Sequence, residues 1–348
     1  MVATRVRRHL RVLGIAAALC GTALMVWTVR RAGAASVIEG VRHVGAGIIV
    51  ICVLASARAL IRTAGWRMCL DPDTAPGFAA MFAAYLSGDA IGNVTPFGFL
   101  ISEPAKVVLV RRRVDVASAA VALTIENLFY SATVVVMLAA GTAALLSFAV
   151  PPSIRIASLA TLATAAVLMA LVTWIISTRR RVVSGAIEWL IRHNVAAVFW
   201  QARLPKIRQS GDRIFDFAAR RPTTVLPLLA LESSYHVVAV GEIWLSLLFI
   251  TGAPPPLLTA FVLEYVNRTI TVAFQFVPMW LGVDEASSSL AAGVLGIGAP
   301  VGVSLALVRK TRLAIWTGVG IAVLLMRGLS VGGAAHDAEV LAERQGLD

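Results

Sequence analysis

Two short segments of an otherwise apolar chain combine proline, glycine and glutamate in the same order. They contain Pro96, Gly98 and Glu103 in NVTPFGFLISEPAK, and Pro278, Gly282 and Glu285 in VPMWLGVDEAS. In both segments the glutamate follows the proline by seven residues. A charge at the centre of a bilayer costs about 2.5–3.5 kcal/mol, so each carboxylate predicts an ion pair or a hydrated cavity nearby.

Two roles for these glutamates follow from their neighbours. Proline and glycine interrupt helices, and both Ser102-Glu103-Pro104 and Asp284-Glu285 are typical of helix starts. Each glutamate would then stabilise the positive end of a short helix, which contributes about 0.3–1 kcal/mol. In the alternative role, both glutamates line a polar cavity. Its other candidates are Asn93, Arg58, Arg62 and Arg268.

The composition is that of a membrane protein. Of 348 residues, 58% are hydrophobic and 14% are charged, with a mean hydropathy of +0.82, whereas charged residues make up about 25% of a soluble domain. Most long apolar stretches approach the roughly 20 residues that cross a hydrocarbon core. They lie near residues 12–29, 44–61, 116–149, 156–177, 223–250, 257–281 and 303–326, with interrupted or short stretches near 78–101 and 284–299. We predict an all-α, polytopic membrane helical bundle.

The distribution of basic residues predicts the orientation. Between Arg179 and Arg221 there are ten Lys or Arg residues and three Asp or Glu residues. A short loop this basic stays in the cytoplasm and faces anionic headgroups. We therefore place the segment 178–222 and the N-terminus, which carries its own arginine cluster, on the cytoplasmic side of the inner membrane. Apolar residues at helical spacing within this segment predict an amphipathic helix on the membrane surface, or alternatively a solvated linker.

The basic segment divides the chain into two halves that each contain one proline-glycine-glutamate segment. The first half is 1–177, with a re-entrant hairpin of half-helices near 78–113. The second half is 223–326, with a hairpin near 270–300, and an acidic tail follows at 327–348. A motif that recurs at corresponding places in two halves is typical of inverted repeats in transport proteins. The fold we expect is therefore two inverted-repeat halves.

Several ionisable residues fall inside or beside apolar stretches. Two pairs are separated by four residues, Glu264 with Arg268 and Glu232 with His236. Such pairs can neutralise each other on one helix. The remaining ionisable residues of this kind are Asp89, Glu103, Glu126, Glu242, Glu285, Arg309 and Arg312.

Enzymatic and metal chemistry have little support. The chain contains no HExxH, GxSxG or glycine-rich phosphate loop, and its three cysteines have no CxxC spacing. His236 stands near Ser233 and Ser234, but neighbours on one helix point in different directions. We predict no catalytic residues, no metal, no cofactor and no nucleic-acid partner.

The two segments resemble those of the flippase-like membrane family, typified by the membrane region of lysylphosphatidylglycerol synthases, over roughly residues 10–326. The resemblance implies about eight membrane helices with two inverted re-entrant hairpins. It also implies a substrate-binding site that includes Asn93, Pro96, Gly98, Glu103, Glu126, Arg268, Pro278, Gly282 and Glu285. The sequence departs from the family pattern at Asn127, which replaces a basic neighbour of Glu126, and at Ser102, which replaces a glycine.

The family resemblance implies that the protein moves a phospholipid, or an isoprenoid or hopanoid lipid, between leaflets. Its partners would be membrane lipids with anionic headgroups and enzymes of lipid biosynthesis. The synthase domain of the family's larger members is not expected here, so the chain is not predicted to be an enzyme. The alternative function is a scaffold that binds lipid or envelope enzymes without transporting anything. Cargo, energy coupling and oligomeric state are not predicted.

Overall fold

The structure is a computed structural model that describes residues 19–95, 98–178, 182–193, 200–201, 204–275 and 277–326. Pro96, the N-terminal arginine cluster and the acidic tail lie outside these residues. Within the described ranges the chain forms helices and no strand. The all-helical prediction is confirmed.

The first half contains α1 (19–32), α2 (Ala34–Val44), α3 (Gly47–Cys69), α4 (Phe78–Val94), α5 (Gly98–Val110), α6 (Val116–Leu146) and α7 (Pro152–Ser177). The basic segment contains α8 (Val182–Arg192) and α9 (Leu204–Arg220). The second half contains α10 (Pro222–Thr251), α11 (Leu257–Ala273), a 3₁₀ turn (Pro278–Trp280), α12 (Val283–Val294) and α13 (Ala299–Met326).

Within the described residues, four helices are long and apolar enough to cross a membrane. They are α3, α6, α7 over Pro152–Ile175, and α10. Helix α13 is also long, at 28 residues, but it carries Arg309, Lys310 and Arg312. The apolar stretch 257–281 is not one span as predicted, because α11 ends at Ala273 and the 3₁₀ turn begins at Pro278.

Helices α3 and α10 pack against each other and run antiparallel. The Arg221 guanidinium, just before α10, donates to the carbonyl of Leu70 at the end of α3 over 2.6 Å. At the other end, a Cβ built on Gly47 would lie 2.6 Å from Cδ2 of Phe249. The loop that follows α3 and the loop that follows α10 therefore lie at opposite ends of this pair.

The short helices pair with each other and with long helices of the other half. Helix α4 packs on α5 and on α13, while α11 packs on α12 and on α6. Glycines allow the close crossings: a Cβ on Gly320 of α13 would lie 2.4 Å from the carbonyl oxygen of Leu86 on α4. A Cβ on Gly141 of α6 would lie 2.4 Å from Tyr265 on α11.

A polar layer separates two apolar cores. One core includes Trp66 of α3 and Leu228 of α10, and the other includes Ile51 of α3 and Ile243 of α10. Between them the same two helices carry charged and aromatic side chains, namely Arg58, Arg62, Glu232, Tyr235, His236 and Glu242. Helix packing therefore holds this layer of charges inside the bundle.

The basic segment folds into two helices that contact each other. Arg208 of α9 donates to Glu188 of α8 over 2.7 Å, and Phe217 of α9 packs edge-on against Phe129 of α6. Helix α8 covers the first part of the predicted amphipathic pattern, and residues 194–199 lie outside the described ranges.

Candidate functional site

Lys106 joins the first pair of short helices. Its Nζ lies 2.8 Å from a carboxylate oxygen of Asp89 on α4 and 2.8 Å from one of Glu103 on its own helix, α5. The same ammonium lies 4.1 Å from the ring centroid of Tyr85. The Lys106 side chain is only 2% exposed, whereas those of Asp89 and Glu103 are 41% and 37% exposed. The two acids thus neutralise a buried cation while remaining accessible themselves.

Glu103 also connects to the polar layer. Asn127 of α6 donates to Glu103 over 3.0 Å and accepts from Arg62 of α3 over 2.8 Å. Arg62 Nη1 in turn lies 2.9 Å from Glu126 and 3.3 Å from Glu232. Helices α3 and α6 of the first half and α10 of the second therefore meet at Arg62, and α5 is connected to them through Asn127.

A second cluster centres on Glu242 of α10. Arg58 of α3 donates to Glu242 over 3.0 Å, and Arg312 of α13 donates to its other oxygen. Nη2 of Arg58 donates to the hydroxyl of Tyr235 over 2.5 Å. Two cations therefore share one carboxylate, which leaves a local excess of positive charge.

Glu264 and Arg268 pair on α11 as predicted, with a distance of 2.8 Å. Arg268 also donates to the hydroxyl of Tyr130 over 2.8 Å. The other predicted pair is wrong, because His236 contacts Thr133 over 3.1 Å while Glu232 turns towards Arg62. A cation from another helix is a better partner for a buried carboxylate than a neutral imidazole.

A cavity of about 140 Å³ opens between the two halves. Its walls come from α3, α4, α10 and α13, and its polar lining consists of Arg58, Tyr85, Asp89, Asn93, Tyr235, Arg312 and Thr317. Asn93 bridges the halves by donating to Thr317 over 3.1 Å. This cavity gives a polar group access to both arginines that hold Glu242.

The second pair of short helices has its own cluster. Lys310 Nζ lies 3.1 Å from Glu285 and 3.8 Å from Asp284, and Arg309 lies 2.5 Å from Asp284. Glu285 also accepts from the backbone N–H of Gly282 over 2.8 Å. Glu285 therefore caps the start of α12, which is the first of the two roles predicted for it.

The turn before α12 has a strained backbone. Met279 and Trp280 both have φ of 50°, a left-handed conformation unusual for residues other than glycine. Lys310 donates to the carbonyl oxygens of both residues, over 3.2 and 3.3 Å. Gly282 has φ of 79°, and a Cβ there would lie 2.3 Å from the carbonyl oxygen of Gly21. Lys310 thus stabilises the turn through two hydrogen bonds and neutralises the charge of Glu285.

The start of α5 differs from the prediction. The helix begins at Gly98, so Pro104 lies inside it and Ser102 is not a cap. Ser102 donates instead to Asp89 on α4 over 3.1 Å. A Cβ on Gly98 would lie 1.7 Å from the carbonyl oxygen of Gly92, so the close approach of α4 and α5 requires a glycine at residue 98. The local proline signal is overridden by this packing.

The predicted site residues fall into separate groups. Asn93 lines the cavity, and Glu103 and Glu126 belong to the network around Arg62. Arg268 pairs with Glu264 beside Tyr130, whereas Pro278, Gly282 and Glu285 lie in the turn and helix start that Lys310 contacts. Gly98 holds α4 against α5, and Pro96 lies outside the described residues. The two glutamates do not contact a common partner.

Sequence reasoning missed the tyrosines. Tyr85 faces the cavity with Asp89 and Asn93, and the three residues are spaced by four along α4. A polar stripe at helical spacing on an apolar helix is the signal that would have found Tyr85. No group of three metal-ligating side chains occurs in the part of the chain that the structure describes.

These features define a polytopic α-helical membrane protein with paired charges inside its bundle. Residues 11–322 match the family model described as the lysylphosphatidylglycerol synthase TM region. The chain therefore belongs to this family, and the resemblance noted from the sequence is confirmed. The match is to the membrane region of those synthases. No curated protein and no solved structure matches the chain.

Proposed function

We propose that the protein moves a lipid between the leaflets of the inner membrane, with the headgroup passing through the cavity between the two halves. The observation that carries this proposal is the lining of that cavity, where Arg58, Asp89, Asn93 and Arg312 stand on helices that are otherwise apolar. Ionisable groups within membrane helices are costly and typically mark the path of a substrate or ion. Membership of the family supports a lipid-related role.

The shared carboxylate favours an anionic headgroup. Arg58 and Arg312 both donate to Glu242, so one of the two positive charges has no carboxylate of its own. The planar guanidinium group of arginine matches the geometry of a phosphate, which accepts several charge-assisted hydrogen bonds. In this proposal the headgroup phosphate replaces Glu242 as the partner of one of the two arginines, while the acyl chains stay in the bilayer. The protein carries out no chemical conversion.

The arrangement of the short helices supports two inverted repeats. Helices α4 and α11 have 17 residues each, and α5 and α12 have 13 and 12. Helix α4 follows α3 and α11 follows α10, and these two long helices are antiparallel. The pairs α4–α5 and α11–α12 would therefore enter the membrane from opposite faces as re-entrant hairpins. The second hairpin would begin at Leu257, before the predicted start near residue 270.

The basic segment supports a cytoplasmic position for α8 and α9. Arg221, at its end, contacts both Leu70 and Asp71, so the loop after α3 lies on the same side. Positive loops are retained in the cytoplasm. Anionic lipids of the inner leaflet would bind this surface.

Reconstitution of the full chain into liposomes with fluorescent phosphatidylglycerol tests the proposal. A membrane-impermeant reductant quenches only the outer leaflet, so lipid movement appears as loss of the protected signal. We expect movement with the wild-type protein and at least about a tenfold slower rate with Arg58→Gln or Arg312→Gln, since a charge-assisted hydrogen bond contributes about 1.5–3 kcal/mol. Each variant keeps one arginine on Glu242, so the fold should persist.

Arg155→Gln is the matched control, because Arg155 is exposed at the start of α7, away from the cavity. Its rate should equal that of the wild type. If folded wild-type protein moves no lipid, the transport proposal fails and the scaffold alternative takes its place.

A further inference from the structure

Two glutamates of the polar layer share a single arginine. Glu126 of α6 and Glu232 of α10 are both 0% exposed, and both approach Nη1 of Arg62. Both oxygens of Glu126 and Oε1 of Glu232 accept no hydrogen bond from the described residues, and the 2.9 Å approach of Arg62 to Glu126 is an ion pair only. The two side chains also converge on Gly65, where a Cβ would lie 2.2 Å from Oε1 of Glu232 and 3.3 Å from Cγ of Glu126. Two ionised carboxylates in this position would repel each other with one cation between them.

The surrounding charges do not correct this imbalance. Lys106, the other cation of the network, is already held by Asp89 and Glu103. The network therefore contains four carboxyl groups and two cations, and the two acids at its centre are the ones without access to water. Burial of an unpaired carboxylate is costly enough that such a group takes up a proton instead.

The cluster in the second half provides an internal comparison. There Asp284 and Glu285 face Arg309 and Lys310, so acids and cations are equal in number. Glu264 and Arg268 are likewise matched one to one. Among the buried charged clusters of the described residues, an excess of acid therefore occurs in the network around Arg62 alone.

Both glutamates lie deep in their helices. Glu126 follows Val116, the first residue of α6, by ten residues, and Glu232 follows Pro222, the first residue of α10, by ten. At about 1.5 Å per residue this places each about 15 Å along its helix, near half of the roughly 30 Å hydrocarbon thickness.

We propose that Glu126 and Glu232 form a proton-binding site that holds one proton between the two carboxyl groups at neutral pH. A proton on one group donates to an oxygen of the other, which provides a donor that the described residues do not supply. The pair then carries a single negative charge, and Arg62 balances it.

The groups that face this site come from every helix packed around it. They are Arg62 and Cys69 of α3, Tyr85 of α4, Glu103 and Lys106 of α5, and Asn127 and Tyr130 of α6. Helix α9 contributes the apolar side chains of Ile214 and Phe217 to the adjacent core. The charged groups of α11 nearest to Tyr130 are Arg268 and Glu264, which neutralise each other.

The site connects to the accessible end of the network. Arg62 donates to Asn127, and Asn127 donates to Glu103, whose side chain is partly exposed. Release of the proton adds a negative charge beside Arg62 and so strengthens its attraction towards the pair and away from Asn127. Resting on the proposed function, this makes the proton a ligand that is coupled to headgroup movement.

Infrared difference spectroscopy of the purified full chain in lipid nanodiscs tests the site without any transport measurement. At neutral pH the wild type should show the carbonyl stretch of a protonated carboxylic acid. The band should be absent from both Glu126→Gln and Glu232→Gln, because each variant leaves one carboxylate for Arg62. The band should persist in Glu264→Gln, which breaks the one-to-one pair of Glu264 and Arg268 elsewhere in the bundle.

Absence of the band from the wild type, or its persistence in both variants, overturns the proposal. Loss in one variant alone also overturns it, since the proton would then belong to one residue and not be shared. If a variant does not fold, titration of the wild-type band decides: a band lost only well above neutral pH supports the site, and a band seen only in acid overturns it.

The link to transport is measured separately. Where the liposome assay shows lipid movement, the wild-type rate should change several-fold across the pH range that titrates the band, and the Glu126→Gln rate should be flat. A wild-type rate that does not change over this pH range overturns the proposed coupling. A protein that shows the band but moves no lipid refutes the transport function and leaves the proton site intact.

Discussion

Arg62 of α3 and Glu126 of α6 form a buried ion pair, with Nη1 of the arginine 2.9 Å from Oε1 of the glutamate. This pair was not predicted, because the residue beside Glu126 is Asn127, where the family resemblance implies a basic residue. The structure supplies the cation from a different helix. Asn127 completes the arrangement by accepting a hydrogen bond from the same guanidinium over 2.8 Å.

Arg62→Met should therefore lower the stability of the protein strongly. Removal of one partner from a buried ion pair typically costs about 3–5 kcal/mol, because the other charge is left uncompensated. Thermal unfolding in detergent measures the effect, and Arg42→Met, at an exposed position of α2, is the control. The triple variant Arg62→Met/Glu126→Gln/Glu232→Gln should recover part of the loss, because it leaves no carboxylate of this pair without a cation. A single variant as stable as Arg42→Met would contradict the assigned role.

Gly320→Ala should weaken the contact between α4 and α13. Its Cβ would lie 2.4 Å from the carbonyl oxygen of Leu86, so the helices must move apart, and overpacking of this kind costs about 1–3 kcal/mol. Gly318→Ala lies two residues away on the same helix and meets nothing within 4 Å. The unfolding temperature should fall for Gly320→Ala and stay level or rise for Gly318→Ala. Equal behaviour of the two variants would contradict this helix contact.

Contacts within one helix could be predicted from the sequence, and contacts between helices could not. The pair of Glu264 and Arg268 follows from a spacing of four, and the structure has it. The same spacing suggested that Glu232 pairs with His236, which is wrong because Arg62 reaches Glu232 from α3. Spacing fixes which residues share a helix face, but it does not say which face of another helix will lie opposite.

The two proline-glycine-glutamate segments also show that sequence spacing does not predict contacts between helices. Their recurrence in the sequence led to both charged clusters, yet the roles of the two glutamates differ. Glu285 is fully buried and caps α12, whereas Glu103 is partly exposed and pairs with Lys106 on the same helix. The source of the partner cation also differs, because Lys310 reaches Glu285 from α13 whereas Lys106 lies on the same helix as Glu103.

Lys310 should be essential for the turn before α12 through its ion pair with Glu285. Lys310→Met leaves that buried carboxylate without its cation and removes two hydrogen bonds to backbone carbonyl oxygens. We expect a loss of about 3–5 kcal/mol for the single variant and a smaller loss for Lys310→Met/Glu285→Gln, because the second change removes the orphaned charge. Glutamine can still accept from the Gly282 N–H. Additive losses, measured by thermal unfolding, would argue against coupling between the two side chains.

Met279→Gly should stabilise the same turn. Met279 has φ of 50°, and a residue with a Cβ in the left-handed region costs about 1–2 kcal/mol relative to glycine. The gain should appear as a higher unfolding temperature. Leu281 has φ of −56°, so Leu281→Gly offers no relief and serves as the comparison. A lower unfolding temperature for Met279→Gly than for Leu281→Gly would refute the strain.

Single cysteines in exposed loops should label from opposite sides of the membrane if the two pairs of short helices are inverted repeats. Asp73 lies in the loop before α4 and Ala253 lies in the loop before α11, and these loops are at opposite ends of the antiparallel pair α3 and α10. In a background with Cys20, Cys52 and Cys69 changed to serine, an impermeant maleimide should reach residue 73 in inside-out vesicles and residue 253 in right-side-out vesicles. Gly211→Cys in α9 should label with residue 73, because Arg221 ties the end of the basic segment to Leu70. Labelling of residues 73 and 253 from the same side would exclude the inverted arrangement.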